Sequence, residues 1–239
     1  MQKIKVTSIL VCAIIVLAIA GAGCLNMKMT ENVKVNKDAQ ITHMKISIKM
    51  DESTYNMIKS AAKRDGYTTV RELFEENLTK SIGSRNAVYN EVFDKENDKV
   101  TISVERNDTY SPPADSNITI RKENNQIVFE DRSFYSDSKP NESLTKSPYF
   151  NETQYEAMRD MVLSAITVDY YLEMPGKITD SNAATVTDNK AEWHLSGSEI
   201  TKTTIHAKSD VPILPGFTAG FAIIAIGLVF IAFGFFRKK

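Results

Sequence analysis

The sequence contains few cysteines and histidines, and this limits the chemistry that its folded part can hold. Only two cysteines occur among the 239 residues, Cys12 and Cys24, and both lie near the N-terminus. No disulfide can therefore brace the rest of the chain, and no cysteine-based metal site can form there. The three histidines, His43, His194 and His206, lack the i, i+4 spacing of a zinc-binding helix.

Recognised catalytic patterns are missing as well. The chain has no Gly-x-Ser-x-Gly nucleophile elbow, no phosphate-binding P-loop and no dinucleotide-binding fingerprint. We therefore predict no catalytic residues, no cofactor, no metal and no enzymatic activity. Two alternatives to a binding protein stay open. One is a carboxylate-based hydrolase of envelope glycans, whose two acidic residues need no local motif, and the other is a purely structural surface-layer component.

Acidic residues are absent from both ends of the chain, residues 1–24 and 211–239. The segment between the ends holds all 30 Asp and Glu but only 24 of the 29 Lys and Arg, which gives it a formal charge of −6. A surface of this sign repels the phosphates of nucleic acids, so we exclude nucleic acid as a partner.

The C-terminal segment, residues 215–239, contains a long apolar run. Residues 217–236 carry no charge, and at 1.5 Å per residue they span about 30 Å, the thickness of a bilayer core. The run begins with Pro215, Gly216 and Phe217 and is followed by Arg-Lys-Lys. This arrangement resembles the PGF-CTERM sorting tail of archaeal surface proteins. The resemblance implies that an archaeosortase-like enzyme removes the tail and leaves a lipid anchor. The alternative is a transmembrane helix that is never cut.

The N-terminal segment, residues 1–23, has the basic start, the apolar run and the small closing residues of a secretory signal peptide. It ends in Ala-Gly-Ala-Gly before Cys24, which resembles a lipobox, with Gly21 where a branched residue is usual. The resemblance implies cleavage by a signal peptidase and lipidation of Cys24. The alternative is an uncleaved signal anchor in which Cys24 is a passive thiol.

Basic residues flank both apolar runs and predict the topology. Lys3 and Lys5 precede the first run, and residues 237–239 follow the second. Both clusters should stay in the cytoplasm by the positive-inside rule. We therefore expect residues 25–210 outside the cell, at the membrane surface, with membrane lipid as a partner.

The segment between the ends predicts one α+β domain of mainly antiparallel sheet with about three packed helices. A spacer at 24–32 precedes the domain at 33–208, and a linker at 209–214 follows it. Period-two alternation predicts strands around Val33–Val35, Met44–Met50, Val100–Val104, Ile118–Ile120, Ile127–Phe129, Val168–Met174, Ala191–Leu195 and Ile205–Ala207. Asn124-Asn125 and Asp188-Asn189 predict hairpin turns.

Helical spacing predicts the three helices. One runs from about Ser53 to Asp65, and a second begins at Thr69, with Glu72 completing a capping box, and ends at Gly83. A third follows Asn151 as its cap, after an exposed loop at 136–148.

Short patterns at both ends of the domain resemble the LppM-like surface domain. They are Val33 to Asp38, with Ala39 where that family's turn usually has Gly, and Met-Pro-Gly at 174–176 followed by Ser-Asn at 181–182 and Ala-Glu-Trp at 191–193. The resemblance implies a membrane-anchored envelope domain that binds lipid or glycolipid in an apolar groove. Trp193 itself is predicted to be a core residue, as is usual for a lone tryptophan on an alternating strand.

Acceptor sequons for N-glycosylation are mildly over-represented in the exported part. The five candidates are Asn77, Asn107, Asn117, Asn141 and Asn151.

The processing of the tail gives a first testable prediction. If an archaeosortase-like enzyme cuts the chain, mass spectrometry of the mature protein should find no peptides beyond Phe217. Changes at Pro215 or Gly216 should then leave a heavier, unprocessed protein. Recovery of residues 235–237 at full abundance in the mature protein would instead show a simple transmembrane anchor.

Overall fold

The computed structural model describes residues 26–75, 86–135 and 152–211. The described strands are β1 (Met27–Val35), β2 (Ile41–Asp51), β3 (Val88–Asp94), β4 (Lys99–Arg106), β5 (Ile118–Glu123), β6 (Gln126–Asp131), β7 (Ile166–Glu173), β8 (Ile178–Ser181), β9 (Thr185–Thr187), β10 (Lys190–Ser196) and β11 (Ile205–Asp210). The helices are α1 (Glu52–Arg64), α2 (Glu152–Ser164) and α3 (Glu199–Lys202), and residues 70–75 are helical as well.

The strands form two sheets. The larger sheet has seven strands in the order β3-β4-β2-β1-β7-β10-β9, and the smaller has four in the order β5-β6-β11-β8. Neighbouring strands are antiparallel except β1 and β7, which run parallel. The predicted α+β class with a mainly antiparallel sheet is confirmed, whereas the division into two sheets was not predicted.

Strand β1 begins earlier than the sequence predicted. It starts at Met27, so residues 27–32 lie at the centre of the large sheet and do not form a spacer. Its odd-numbered side chains are buried from Met27 to Val35. The alternation was hidden because one inward position is Glu31, a residue type that is almost never buried without a partner.

The other predicted strands and hairpin turns are confirmed. The turn between β5 and β6 has positive φ at both Asn124 (47°) and Asn125 (64°), as a type I′ turn requires. The turn before β10 has a positive φ at Asp188. Strands β3 and β8 were missed because β3 is mostly exposed, without a clear buried face, and β8 has only four residues.

Helix α1 confirms the first predicted helix. Asp51 caps it, with its Oδ1 accepting a hydrogen bond from the Thr54 N–H at 2.7 Å. The predicted apolar face is buried and packs against β2 and β4.

The second predicted helix is described over residues 70–75. Thr69 Oγ1 accepts a hydrogen bond from the Glu72 N–H at 3.1 Å, as in a capping box, whereas the Glu72 carboxylate accepts from the Thr68 N–H at 2.7 Å. The predicted end at Gly83 lies outside the described residues.

The core lies between the two sheets and under the helices. Tyr170 on β7 is fully buried in it, and its ring centroid lies 5.6 Å from that of Trp193, 6.2 Å from that of Phe134 and 6.5 Å from that of Phe129. Trp193 is buried, so its prediction as a core residue is confirmed. The last short helix, α3, buries Ile200 and was not predicted.

Helix α2 agrees with the third predicted helix and buries Val162 and Leu163. Its predicted cap, Asn151, and the loop at 136–148 fall outside the described residues. In the three described ranges, no helix is long and apolar enough to cross a bilayer. The apolar runs at 1–23 and 217–236 are not part of those ranges.

The turn between β1 and β2 gives a stability prediction. Asn36 Oδ1 accepts hydrogen bonds from the N–H groups of Asp38 (2.9 Å) and Gln40 (3.0 Å), and this turn holds Ala39 at a φ of +59°. A left-handed conformation costs a residue with a Cβ about 1 kcal/mol relative to glycine. Ala39→Gly should therefore raise the free energy of unfolding by about 0.5–1 kcal/mol in chemical denaturation.

Ala61→Gly, in the interior of α1, is the matched control. It should lower stability, because glycine is unfavourable inside a helix by about 1 kcal/mol and a buried methyl group is lost. Equal destabilisation by both changes would contradict the strain assigned to Ala39.

Candidate functional site

The outward side chains of the large sheet form a polar surface that a groove crosses. Successive residues of a strand point to opposite faces, so the residues between the buried ones lie on this open face. The groove has a volume of about 540 Å³ and runs over β1. Its polar lining comes from β1 (Asn32, Lys34), β2 (His43, Lys45), β4 (Glu105), β7 (Tyr171, Glu173) and β10 (Lys190, Glu192).

The strand register explains why a groove forms over β1. Asn32 is paired with Lys45 on one side and with Tyr171 on the other. Beyond them in the same row lie Glu105 and Glu192. Asn32 is shorter than all four of these neighbours, so the row has a depression at its centre.

Ion pairs hold the long side chains of the groove in place. Lys34 Nζ lies 2.7 Å from Glu173 Oε1, and Lys45 Nζ lies 3.1 Å from Glu105 Oε2. Hydrogen bonds from Asn107 and Lys45 hold the pKa of Glu105 below its usual value. A glycosidase acid needs a raised pKa, so Glu105 is tuned in the opposite direction.

Asn107, just after β4, connects two residues of the groove. Its Oδ1 lies 2.6 Å from His43 Nδ1, and its Nδ2 donates to Glu105 Oε1 at 3.0 Å. An amide oxygen only accepts hydrogen bonds, so His43 Nδ1 must carry the hydrogen. These two hydrogen bonds fix the orientation of the His43 ring and of the Asn107 amide at the rim of the groove.

Three groove side chains have polar groups that remain available to a ligand. Asn32, Tyr171 and Lys190 make no side-chain hydrogen bond or ion pair with the described residues. An amide, a phenol and an ammonium group together offer several donors and two acceptors. The Tyr171 ring also supplies an apolar face beside them.

The other two histidines do not line the groove, although the His194 ring makes an edge contact with the Tyr171 ring, 6.3 Å between centroids. His194 Nδ1 is 2.8 Å from Asp169 Oδ1, and His206 Nε2 is 3.4 Å from Asp180 Oδ2. Among the described residues, no group of three or more His, Cys, Asp or Glu side chains is placed to hold a metal ion.

A second polar cluster is buried between the sheets. Glu31 of β1 is 2% exposed, and Asp131 at the end of β6 is fully buried. Asp131 accepts hydrogen bonds from the Ser133 N–H (2.7 Å) and the Tyr170 hydroxyl (3.1 Å). The Glu31 carboxyl has no hydrogen-bond partner in the described part of the chain, although Tyr170 is its register partner across β1 and β7.

Burial dominates the chemistry of this buried carboxyl pair. Loss of solvation, followed by the charge of Asp131, raises the pKa of Glu31 well above its usual value. Burial also raises the pKa of Asp131, against the hydrogen bonds from Ser133 and Tyr170. Two acidic residues from distant strands do come together, as the hydrolase alternative required. Both are buried, however, and neither is among the residues that line the groove on the open sheet face.

Most of the predicted site residues cannot be placed. Cys24, the sorting residues Pro215, Gly216 and Phe217, and the sequons at Asn77, Asn141 and Asn151 lie outside the described residues. Asn107 is exposed at the rim of the groove, and Asn117 is half-buried at the start of β5.

The groove and the buried carboxyl pair were both missed by sequence reasoning. The groove combines five strands, so no local motif marks it. The alternation of β1 could have identified Asn32 and Lys34 as outward residues, had Glu31 been accepted as an inward one. Most of the residues that line the groove are also polar or charged, whereas the family resemblance implied an apolar groove.

The comparisons with known proteins give one relative and one structural neighbour. A protein of Archaeoglobus fulgidus, described as uncharacterised, is 38% identical over 217 residues, which cover 90% of this chain and 91% of that protein. The NMR structure of the LppM folded domain from Mycobacterium tuberculosis matches with a TM-score of 0.39 and 9% identity, over 78% of this chain and 91% of that domain. No protein-family model matches the chain.

The buried carboxyl pair predicts a pH dependence of stability. Because the folded-state pKa of Glu31 is raised, its stabilising contribution is complete below the unfolded value of about 4.5 and is lost as the pH rises through the folded value. Glu31→Gln removes the ionisation and keeps the shape. We expect this variant to be more stable than the wild type at neutral pH, with the difference in the free energy of unfolding shrinking toward pH 4.

Thermal unfolding of the full chain in detergent at several pH values would measure this difference. Glu96→Gln makes the same change on an exposed side chain and should give no pH-dependent difference. A Glu31→Gln variant that is less stable at every pH would show instead that the ionised carboxylate is needed in the core.

Proposed function

The chain belongs to the same family as the Archaeoglobus fulgidus protein, and we propose that this family consists of non-enzymatic binding proteins anchored at the outer surface of the cell membrane. In this proposal the groove on the open sheet face binds the sugar head group of an envelope glycolipid. The observation that carries this proposal is that the polar groups of Asn32, Tyr171 and Lys190 in the groove are available to a ligand.

The ends of the domain support the anchored arrangement. β1 begins three residues after Cys24, and β11 ends seven residues before Phe217. At about 3.5 Å per residue, these connections reach at most about 10 Å and 25 Å. A lipid at Cys24 and an apolar segment at the other end would therefore hold the sheets close to the membrane surface.

The extent of the family similarity supports the same reading. The 217 aligned residues exceed the 186 positions between residues 26 and 211, so the alignment continues into the terminal segments. The aligned residues therefore include some of those predicted to anchor the protein. Signal peptidase and an archaeosortase-like enzyme are the processing partners that these segments call for.

The chemistry of the groove favours a sugar over an acyl chain. Sugar hydroxyls pair well with amide and carboxylate side chains, and a tyrosine ring can pack on the apolar face of a sugar ring. A lipid tail bound in the groove would instead exclude water from the charged groups of Lys190 and Glu192, which is unfavourable. A ligand carried by a membrane glycolipid would also lie within reach of a domain on short connections.

The proposal is tested with the full-length protein by comparing its binding to vesicles of archaeal polar lipids with its binding to the same vesicles without their glycolipids. The predicted anchoring segments bind both kinds of vesicle, so the difference between them, the glycolipid-dependent binding, reports on the groove. Tyr171→Ala should weaken binding about tenfold, since stacking and lost area together amount to about 1.4 kcal/mol. Tyr171→Phe keeps the ring and should retain most of the affinity. Lys190→Ala should weaken binding, whereas Lys49→Ala, on the same sheet face outside the groove, should not.

Free head-group oligosaccharides should compete with the vesicles. If Tyr171→Ala and Lys190→Ala bind as well as the wild type, the groove is not the binding site. If the glycolipids do not increase binding to the vesicles and no oligosaccharide binds, the head-group proposal fails as a whole.

A further inference from the structure

A glycosylation sequon lies directly beside the groove. Asn107, Asp108 and Thr109 follow β4 in the order that N-glycosylation requires. We propose that Asn107 carries an N-linked glycan that stands at the rim of the groove and limits access to it. The consequence for ligand binding rests on the ligand proposed above, whereas the modification itself rests only on the proposed location outside the cell.

The fold presents this sequon to solvent in a fixed turn. The side chains of Asn107 and Thr109 are exposed, whereas Arg106 and Tyr110 on either side are buried. The Arg106 guanidinium lies 3.7 Å from the centre of the Tyr110 ring, and Tyr110 exchanges two backbone hydrogen bonds of 2.9 Å with Ile41. The acceptor amide and the hydroxyl two residues later are thus held on the surface by a firmly anchored segment.

The middle residue of the sequon strengthens this anchoring. Asp108 Oδ2 accepts hydrogen bonds from Arg106 at 2.9 Å and from Asn86 Nδ2 at 3.0 Å. The Arg106 bonds lower the pKa of Asp108 to about 2, so the carboxylate stays ionised and the turn keeps its shape.

Asn117, the other described sequon, is less suited to modification. Its carbonyl accepts the Arg132 N–H at 3.0 Å, and Ile118 after it is buried in the smaller sheet. The sequon therefore enters a paired strand, and Asn117 itself is half-buried. Asn107 has neither restriction.

The contacts of Asn107 place an attached sugar at the groove. The amide nitrogen donates to Glu105 at 3.0 Å, and the amide oxygen lies 2.6 Å from His43, both of which line the groove. A side-chain amide has two N–H groups, and glycosylation replaces only one. The other can keep the Glu105 bond, so the first sugar would lie within about one ring's width of the lining.

The modification needs a donor and an enzyme that an exported protein meets at the membrane. A membrane-bound oligosaccharyltransferase would use an oligosaccharide linked to a lipid phosphate. The bond between the anomeric carbon and the phosphate oxygen breaks, and a bond from that carbon to Asn107 Nδ2 forms. The amide proton passes to a base of the transferase, and the lipid phosphate leaves with the bonding electrons.

The modification is tested by mass spectrometry of the full-length protein from an archaeal host that N-glycosylates its surface proteins. Trypsin cleavage after Arg106 and Arg121 gives the peptide 107–121, which contains both Asn107 and Asn117. An Asn117→Gln background therefore assigns any added glycan mass to Asn107. We expect the glycan on this background and on Thr109→Ser, which keeps the sequon, and its loss in Thr109→Ala. A peptide of unmodified mass on the Asn117→Gln background would overturn the proposal.

Access to the groove can be tested without any ligand. The measurement is the rate at which a water-soluble, amine-reactive reagent modifies the lysines of the groove. Lys34 and Lys45 should react at least twofold faster in Thr109→Ala than in the wild type, with Lys122 on β5 as an unchanged reference. Asn107→Gln also removes the sequon and serves as a second variant should Thr109→Ala fold poorly. Equal rates in glycosylated and unglycosylated protein would overturn the limit on access.

Binding to the archaeal polar-lipid vesicles then separates this proposal from the proposed function. We expect Thr109→Ala to bind the vesicles several-fold more tightly than the glycosylated wild type. Equal binding by both would overturn the regulatory role. If the glycolipids increase the binding of neither protein, while the lysine rates change as expected, the proposed ligand is overturned and the glycan at the rim is established.

Discussion

Strand β1 is hydrogen-bonded along both of its edges, to β2 on one side and β7 on the other, and both faces of the large sheet depend on this arrangement. Its period of two directs Met29 and Val33 into the core and Asn32 and Lys34 to the open face. A slip of one residue would exchange the two sets. The groove and the core are therefore specified by the same register.

The buried carboxyl pair belongs to that register as well. Glu31 lies opposite Tyr170, and Tyr170 in turn donates to Asp131 of the smaller sheet. A protonated carboxyl is tolerated in this apolar interior far better than an ionised one. The hydrogen bond from Tyr170 to Asp131 is directional, so it defines how the two sheets pack against each other. The apolar contacts of Phe129 and Phe134 alone would define that geometry less strictly.

Local sequence patterns predicted most of the fold, whereas contacts between residues distant in sequence could not be predicted. The hairpin at Asn124-Asn125, the alternation from Met44 to Met50 and helix α1 are each encoded within about a dozen residues. The first half of β1 was missed because Glu31 breaks the expected pattern. The groove could not be foreseen, because Lys45, Asn32 and Tyr171 meet only through the pairing of three strands that are distant in sequence.

The parallel pairing of β1 with β7 has a consequence for how the chain acquires its structure. About 130 residues separate the end of β1 from the start of β7, so one edge of the central strand stays unpaired until most of the domain has been synthesised. The β1–β2 hairpin can form early, but it then presents an open edge rich in methionine and valine. Closing so long a loop is slow, and an open strand edge invites pairing with other chains. Attachment of the first residues to a membrane would keep neighbouring chains apart during this interval.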